Sequence, residues 1–267
     1  MPQFTPFLRW AGGKSWLTEY IKNMIEGIEI NNYYEPFLGG AAIFFALELP
    51  KHVYLSDLND ELVNAYIQVR DVPEEVIEIM RTYRNTEEDY YRIRALELDT
   101  KVEQAARFIY LNNTSYNGLY RVNSKGKYNV PYGYRTCEYD YERIQEASKS
   151  LKKVKIFQGD FADRKYTIRK GDLVFLDPPY TVSHNQNGFI KYNQQLFSLE
   201  DQMRLKKSID FIDKKGAHYI LTNAAHETIK EIFSEGATMI PVERNSLIGG
   251  KNATRGKVQE FIFTNIK

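Results

Sequence analysis

Along the chain, segments with the apolar pattern of a β-strand alternate with segments that have the apolar pattern of an α-helix. Three apolar runs near the start predict a strand, a helix and a second strand, at residues 33–37, 41–49 and 52–57. Asn59 is then expected to cap a further helix. Short strands separated by amphipathic helices are typical of a parallel α/β sheet.

The same alternation returns after residue 150. Strands are predicted at 153–160, at 173–176 within the segment 172–180, and at 218–223, 238–244 and 258–265. Ser198 and Asp201 form a capping pair for a helix that Gly216 ends. Another helix is expected near residues 227–233. The predicted fold class is α/β, with a doubly wound, mostly parallel, Rossmann-like sheet and helices on both faces.

Residues 71–150 lack this alternation. They are predicted to be an inserted, mainly helical domain, which leaves residues 1–70 and 151–267 as the sheet domain. Residues 107–155 contain ten Lys and Arg against four Asp and Glu, and residues 112–135 are rich in Asn, Gly and Tyr. This composition predicts helices followed by an exposed basic hairpin.

Composition narrows the classes of protein that fit. The 267 residues are 43% hydrophobic and 27% charged, as in ordinary soluble globular proteins. A net charge of +1 gives no global basic signature, although a local basic surface stays compatible with nucleic acid. The single cysteine, Cys137, excludes an internal disulfide and suits a reducing cytosol. With no leader or membrane span predicted, we expect a cytoplasmic protein that is monomeric by default.

The sequence Gly-Gly-Lys-Ser at residues 12–15 raises the question of a phosphate-binding P-loop. That motif requires a glycine five positions before its Gly-Lys-Ser ending, where this chain has Leu8. Pro2 and Pro6 also disfavour the strand that should precede the loop. We therefore do not predict a P-loop.

The tetrapeptide Asp177-Pro178-Pro179-Tyr180 carries the clearest chemical signal. It follows a buried apolar strand, and ligands of open parallel sheets bind at the carboxyl ends of strands. The prolines remove two amide donors, so the Pro178 carbonyl and the Asp177 carboxylate can both accept hydrogen bonds beside the Tyr180 ring. This combination suits the exocyclic amine of a planar base, whose nitrogen the acceptors would make nucleophilic. The alternative is a strand that ends in a rigid turn.

Glycines and acidic residues at other strand ends indicate the electrophile. Gly39 lets a ligand approach the backbone closely, and Asp57 follows 18 residues later, near the spacing at which an acid binds ribose hydroxyls. Asp160 and Phe161 would hold an adenine ring. Without a long phosphate-binding glycine loop, these features favour S-adenosylmethionine over a dinucleotide, with tight turns and strand caps as the alternative interpretation. Four scattered histidines and one cysteine lack ligand spacing, so no metal is predicted.

Several segments in a fixed order resemble one known family. The segments RWAGGK, EPFLGG, LSDLN, YNGLYRVNSKGKYNVPYG and DPPY, with a basic loop before the last strand, resemble the Dam-type DNA adenine N6-methyltransferases over nearly the whole chain. The resemblance implies methyl transfer from S-adenosylmethionine to an adenine flipped out of duplex DNA, with GATC as the implied target. The catalytic residues that it implies are Asp177, Pro178 and Tyr180. The cofactor residues that it implies are Trp10, Lys14, Phe37, Gly39, Asp57, Asp160, Phe161 and Asp177.

The resemblance also implies a set of DNA contacts. Arg9 would reach DNA, and the hairpin would intercalate, hold phosphate and read a guanine through Tyr116, Asn117 and Arg121 respectively. Arg244 and Arg255 would bind phosphate beside a C-terminal loop, whose wording departs from the commonest one in the family.

The sequence departs from the family pattern at one further position, and three alternatives to the implied function remain open. Ala41 stands where many relatives carry glycine, which crowds the cofactor turn slightly. Methylation of cytosine N4, methylation of an RNA amine, and a non-catalytic DNA-binding module with the same fold remain alternatives. A restriction enzyme that acts separately is a compatible partner.

Overall fold

The computed structural model describes residues 6–136, 139–163, 168–181, 197–245 and 257–267. The strands in that part of the chain are β1 Asn32–Glu35, β2 His52–Asp57, β3 Lys155–Gln158, β4 Leu173–Leu176, β5 His218–Ala224, β6 Thr238–Asn245 and β7 Lys257–Thr264. They form one sheet with the order β3-β2-β1-β4-β5-β7-β6. The paired strands β2 and β3, β1 and β4, and β4 and β5 are parallel, whereas β7 runs antiparallel to β5 and β6. The predicted α/β class is confirmed.

Two helices begin at the caps that the sequence predicts. The described α-helices are α1 Thr18–Ile25, α2 Ala42–Ala46, α3 Asp60–Asp71, α4 Pro73–Arg81, α5 Glu87–Arg94, α6 Lys101–Thr114, α7 Glu142–Leu151, α8 Leu199–Lys214 and α9 Glu227–Phe233. The Asn59 side chain accepts the Leu62 N–H at the start of α3. Ser198 and Asp201 form a reciprocal capping box at the start of α8.

Contacts divide the chain into two compact units. Unit 1 comprises Met1–Tyr20, Leu38–Glu48 and Val53–Gly159, and unit 2 comprises Ile21–Phe37, Leu49–His52 and Asp160–Lys267. An insertion at residues 71–150 stays a prediction, because these units do not test its boundaries.

An aromatic core supports the predicted hairpin within unit 1. Side chains of α5, α6 and the hairpin share it, namely Tyr90, Ile93, Tyr110, Leu111, Tyr128, Val130 and Tyr132. The buried Tyr90 hydroxyl donates to the Val130 carbonyl at 2.8 Å, which satisfies a polar group inside this core. The hairpin is therefore packed against helices rather than held only by its two isolated β-bridges.

The strand order indicates which end of β1 and β4 in unit 2 is a candidate ligand-binding edge. β1 and β4 are parallel neighbours, with Tyr33 opposite Leu173, although they are far apart in sequence. Chain order reverses between these two strands, and ligands of open α/β sheets bind beyond the carboxyl ends at such a point. Phe37 follows β1 and Asp177 follows β4, so both lie at this edge.

Candidate functional site

The glycine turn of unit 1 packs against the indole of Trp10. A Cβ atom on Gly39 would lie 2.9 Å from Trp10 Cδ1, and one on Gly40 would lie 3.0 Å from Trp10 Cβ. Gly39 also has a φ of +46°, a left-handed conformation that disfavours residues with a side chain. The two glycines thus make room for Trp10, a reason that the sequence alone did not reveal.

Trp10 also connects this turn to the hairpin. Its ring stacks on Tyr120 with centroids 6.0 Å apart, and the Tyr120 hydroxyl donates to Glu61 at 2.8 Å. The side chain of Asn112 accepts the Arg9 N–H at 2.8 Å and donates to the carbonyls of Arg9 and Gly118. Residues 9 and 10 are therefore fixed between the two predicted binding regions of unit 1.

Asp57 is a partly buried carboxylate at the end of β2. It accepts the backbone N–H of Gly39 at 3.2 Å and that of Asn59 at 3.0 Å. Burial raises the pKa of Asp57, although these backbone hydrogen bonds oppose the shift. A carboxylate has about four acceptor positions, so this fixed group retains capacity for ligand hydroxyls.

Lys14 and Ala41 show how two of the predicted cofactor segments in unit 1 are built. Lys14 is 4% exposed and its Nζ donates to the Gly12 carbonyl at 2.7 Å, so the ammonium is turned back onto its own loop. Among the described residues the first strand begins at Asn32, after this segment, whereas a P-loop follows a strand. Ala41 has a φ of +52°, which places the strain of this turn on the residue that departs from the family pattern.

Three phenylalanine rings cluster in unit 2. Phe37 stacks on Phe161 with centroids 5.3 Å apart, and Phe197 contacts both rings at 5.6–5.7 Å. Arg204 lies over the Phe161 ring and pairs with Asp160 at 2.8 Å. The structure thus brings the predicted residues Phe37, Asp160 and Phe161 together in unit 2.

The Asp177 carboxylate is held at the end of β4 by the next strand. Thr222 on β5 donates its hydroxyl to Asp177 Oδ1 at 2.6 Å. Pro178 is buried and Pro179 is exposed. Since neither proline has an N–H, this turn offers acceptors and no backbone donor at those two positions.

The Tyr180 side chain is held through its hydroxyl. That hydroxyl donates to Glu260 Oε2 on β7 at 2.6 Å, and Arg244 on β6 donates its Nε to Glu260 Oε1. Burial, followed by the nearby charges of Asp177 and Glu260, raises the pKa of Tyr180 well above its usual range. The hydroxyl therefore stays protonated and remains a donor at neutral pH.

Four of the six predicted DNA residues lie on the hairpin or beside it in unit 1, whereas Arg244 lies on β6 in unit 2. Tyr116 is 50% exposed and begins a 3-10 turn in which Asn117 has a φ of +55°. Arg121 is exposed, and its guanidinium donates to Asn129 Oδ1 at 2.7 Å and to the Asn129 carbonyl at 3.2 Å. Arg9 donates to the Asn113 carbonyl, and Arg255 lies outside the described residues.

In unit 2, sequence reasoning missed four residues of these arrangements: Phe197, Arg204, Thr222 and Glu260. Glu260 had a weak signal, since it is the only acidic residue of β7 and directly precedes the apolar residues Phe261, Ile262 and Phe263. The others became visible only when the strand register and the packing of α8 were known.

The described residues contain neither a candidate metal cluster nor a helix that could span a membrane. No group of three His, Cys, Asp or Glu side chains in that part of the chain is arranged to hold a metal ion. None of its helices is both long and apolar enough to cross a membrane.

Comparison with known proteins gives consistent matches. A family model described as D12 class N6 adenine-specific DNA methyltransferase matches residues 10–248. The type II methyltransferase M1.LlaDCHI of Lactococcus lactis subsp. cremoris is 36% identical, over 97% of this chain and 95% of that protein. The type II methyltransferase M.MjaIII of Methanocaldococcus jannaschii is 35% identical, over 94% of each chain. A DNA adenine methylase of Vibrio cholerae serotype O1 is 26% identical, over 96% of this chain and 94% of that one.

Proposed function

The chain belongs to the D12 class of N6 adenine-specific DNA methyltransferases, and on that premise we propose that it transfers a methyl group from S-adenosylmethionine to adenine N6 in duplex DNA. The observation that carries this proposal is the end of β4. There Thr222 holds the Asp177 carboxylate, and Glu260 holds the Tyr180 ring. A fixed acceptor and a fixed aromatic ring, three residues apart, suit an amine on a planar base.

Each unit contains residues whose chemistry suits part of a nucleoside cofactor such as S-adenosylmethionine. Asp57 is fixed by two backbone N–H groups and would accept the ribose hydroxyls. Phe37, Phe161 and Asp160 would hold the adenine ring by ring contacts and one polar contact. When bound, S-adenosylmethionine supplies an electrophilic methyl group on a sulfonium centre.

The target amine would be activated by acceptors. Asp177 and the Pro178 carbonyl would take hydrogen bonds from the N6 hydrogens, while Tyr180 stacks on the base. The nitrogen lone pair is then directed away from the ring and becomes more nucleophilic. Catalysis of this kind depends mainly on positioning and electrostatics.

A base inside a duplex does not reach such residues, so the adenine must be flipped out of the helix. The half-exposed Tyr116 would fill the vacated stack, and Asn117 and Arg9 would contact phosphate. Arg121 would read a guanine of GATC, because an arginine can donate two hydrogen bonds to the guanine edge in the major groove. Two relatives are named type II methyltransferases, which supports a restriction–modification role beside a separate restriction enzyme.

The cofactor assignment is tested by replacing Asp57 with asparagine. The loss of a charged acceptor is expected to weaken S-adenosylmethionine binding by about 10- to 100-fold, since hydrogen bonds to charged groups contribute about 1.5–3 kcal/mol. Isothermal titration with S-adenosylmethionine measures this effect. Asp60→Asn is the matched control, because Asp60 is an exposed acid three positions away. The affinity of this variant for S-adenosylmethionine should stay unchanged. Equal affinities for both variants would remove Asp57 from the cofactor site.

The DNA assignment is tested on the hairpin. Arg121→Ala is expected to reduce discrimination at one guanine by about 1–3 kcal/mol. The measurement is kcat/KM on duplexes that carry GATC or a substituted guanine. Lys125→Ala is the control, because an exposed lysine of the same hairpin should affect all duplexes alike. Unchanged selectivity of Arg121→Ala would refute guanine recognition by this residue.

A further inference from the structure

Glu260 is a buried carboxylate on β7, with 2% of its surface exposed. It lies opposite Val242 on β6 and Ala224 on β5, so apolar residues flank it in the sheet. One of its oxygens accepts the Tyr180 hydroxyl and the other accepts Arg244 Nε. A buried charge is strongly destabilising unless it is paired and hydrogen-bonded, so both partners are needed at this position.

We infer that Glu260 and Arg244 are positioning residues, which hold the Tyr180 ring in the orientation that receives the target base. The inference rests on the proposed function, since that function gives the ring its role. A tyrosine hydroxyl lies on the long axis of the ring. A hydrogen bond at this atom therefore fixes the direction in which the whole side chain points.

The charges of this group explain why both partners are present. Glu260 is the acceptor that keeps the Tyr180 hydroxyl in place, and Arg244 compensates the negative charge that Glu260 brings into the sheet. Without Arg244, the negative charges of Asp177 and Glu260, which both act on Tyr180, would be compensated by less positive charge. This arrangement assigns Arg244 to the support of Tyr180 rather than to a phosphate.

The test is a double-mutant cycle on methyl transfer. Tyr180→Phe removes only the hydroxyl, and Glu260→Gln removes the charge while preserving side-chain size. Each variant is expected to lower kcat on a GATC duplex by about tenfold and to leave the Kd of S-adenosylmethionine within about twofold. The double variant should lose about as much as either single variant, since Glu260 has no hydroxyl to hold once Tyr180 is phenylalanine. Glu243→Gln, an exposed acid on β6, is the matched control and should retain kcat.

Two outcomes would overturn the inference while the proposed function stands. One is an active wild-type enzyme in which the two losses multiply to about 100-fold, because Glu260 would then act independently of Tyr180. The other is unchanged kcat in Tyr180→Phe, which decides the question even if Glu260→Gln does not fold. A wild-type protein without methyl transfer would instead refute the proposed function, and the inference with it.

Arg244→Gln separates the two roles of that arginine. Loss of a phosphate contact would lower the slope of log Kd for DNA against log salt by about 0.9. The positioning role predicts an unchanged slope with kcat lowered by about tenfold. A reduced slope with unchanged kcat would assign Arg244 to DNA and contradict the inference.

Discussion

Replacing Asp177 with alanine is expected to lower kcat for methyl transfer by at least about 10³-fold, while S-adenosylmethionine still binds. Removal of a single preorganised electrostatic group commonly lowers kcat by about 10²–10³-fold. Here the lost group is also the charged acceptor for the amine that must attack. Single-turnover methylation with saturating cofactor isolates this step, and titration with S-adenosylmethionine checks that the variant still binds it.

Thr222→Val is the matched control for this variant. It keeps the Asp177 carboxylate but removes the hydroxyl that donates to it at 2.6 Å. We expect a smaller loss of about tenfold, because the acceptor remains and only its orientation is relaxed. Methylation by Asp177→Ala at a near-wild-type rate would place the chemistry elsewhere in the chain.

Replacing Gly39 with alanine is expected to reduce the free energy of unfolding by about 3 kcal/mol. A left-handed backbone costs a residue with a side chain about 1–2 kcal/mol, and overpacking adds about 1–3 kcal/mol. Both apply here, because Gly39 has a φ of +46° and its added Cβ would lie 2.9 Å from the Trp10 ring. Urea unfolding of the wild type and the variant measures the difference.

Two neighbouring substitutions separate the backbone effect from the clash. Gly12 also has a positive φ, +83°, but no atom lies within 4 Å of a Cβ added there. Gly12→Ala should therefore reduce the free energy of unfolding by only about 1 kcal/mol. Ala41→Gly should instead increase the free energy of unfolding, by about 0.5 kcal/mol. The substitution removes the strain of an alanine in a left-handed conformation, and the added entropy of the unfolded chain offsets part of that gain. If Gly12→Ala and Gly39→Ala reduced the free energy of unfolding equally, the Cβ added at residue 39 would not clash with Trp10.

Local signals predicted much of the fold correctly. The bounds of β2 and α9 and the caps of α3 and α8 agree with the sequence, because alternation, periodicity and capping act within a few residues. The resemblance to the adenine-specific DNA methyltransferases is confirmed by the family model. These features needed no knowledge of distant contacts.

The ends of two elements have local physical causes. The buried strand predicted directly before Asp177 is confirmed and ends at Leu176, because Pro178 and Pro179 have no N–H with which to continue a ladder. The helix predicted to residue 49 ends at Ala46, where Leu47 is already extended and Pro50 follows closely.

The sequence indicated candidate site residues but not the residues that hold them in place. Asp177 and Tyr180 stand in a motif that can be read along the chain, whereas Thr222 and Glu260 reach them across the sheet. Those contacts depend on the register of β4 with β5 and of β5 with β7, which the sequence did not specify. The same limit applies to Trp10, whose contact with the glycine turn joins segments about 30 residues apart.

Incorporation of labelled methyl groups from S-adenosylmethionine tests directly whether this protein methylates adenine in duplex DNA. The protein is incubated with one duplex that contains GATC and another that contains the same bases shuffled, and the DNA is digested to nucleosides. We expect label in the GATC duplex alone, recovered as N6-methyladenine. Label recovered as N4-methylcytosine, or no label in either duplex while S-adenosylmethionine binds, would refute adenine methylation of duplex DNA by this protein.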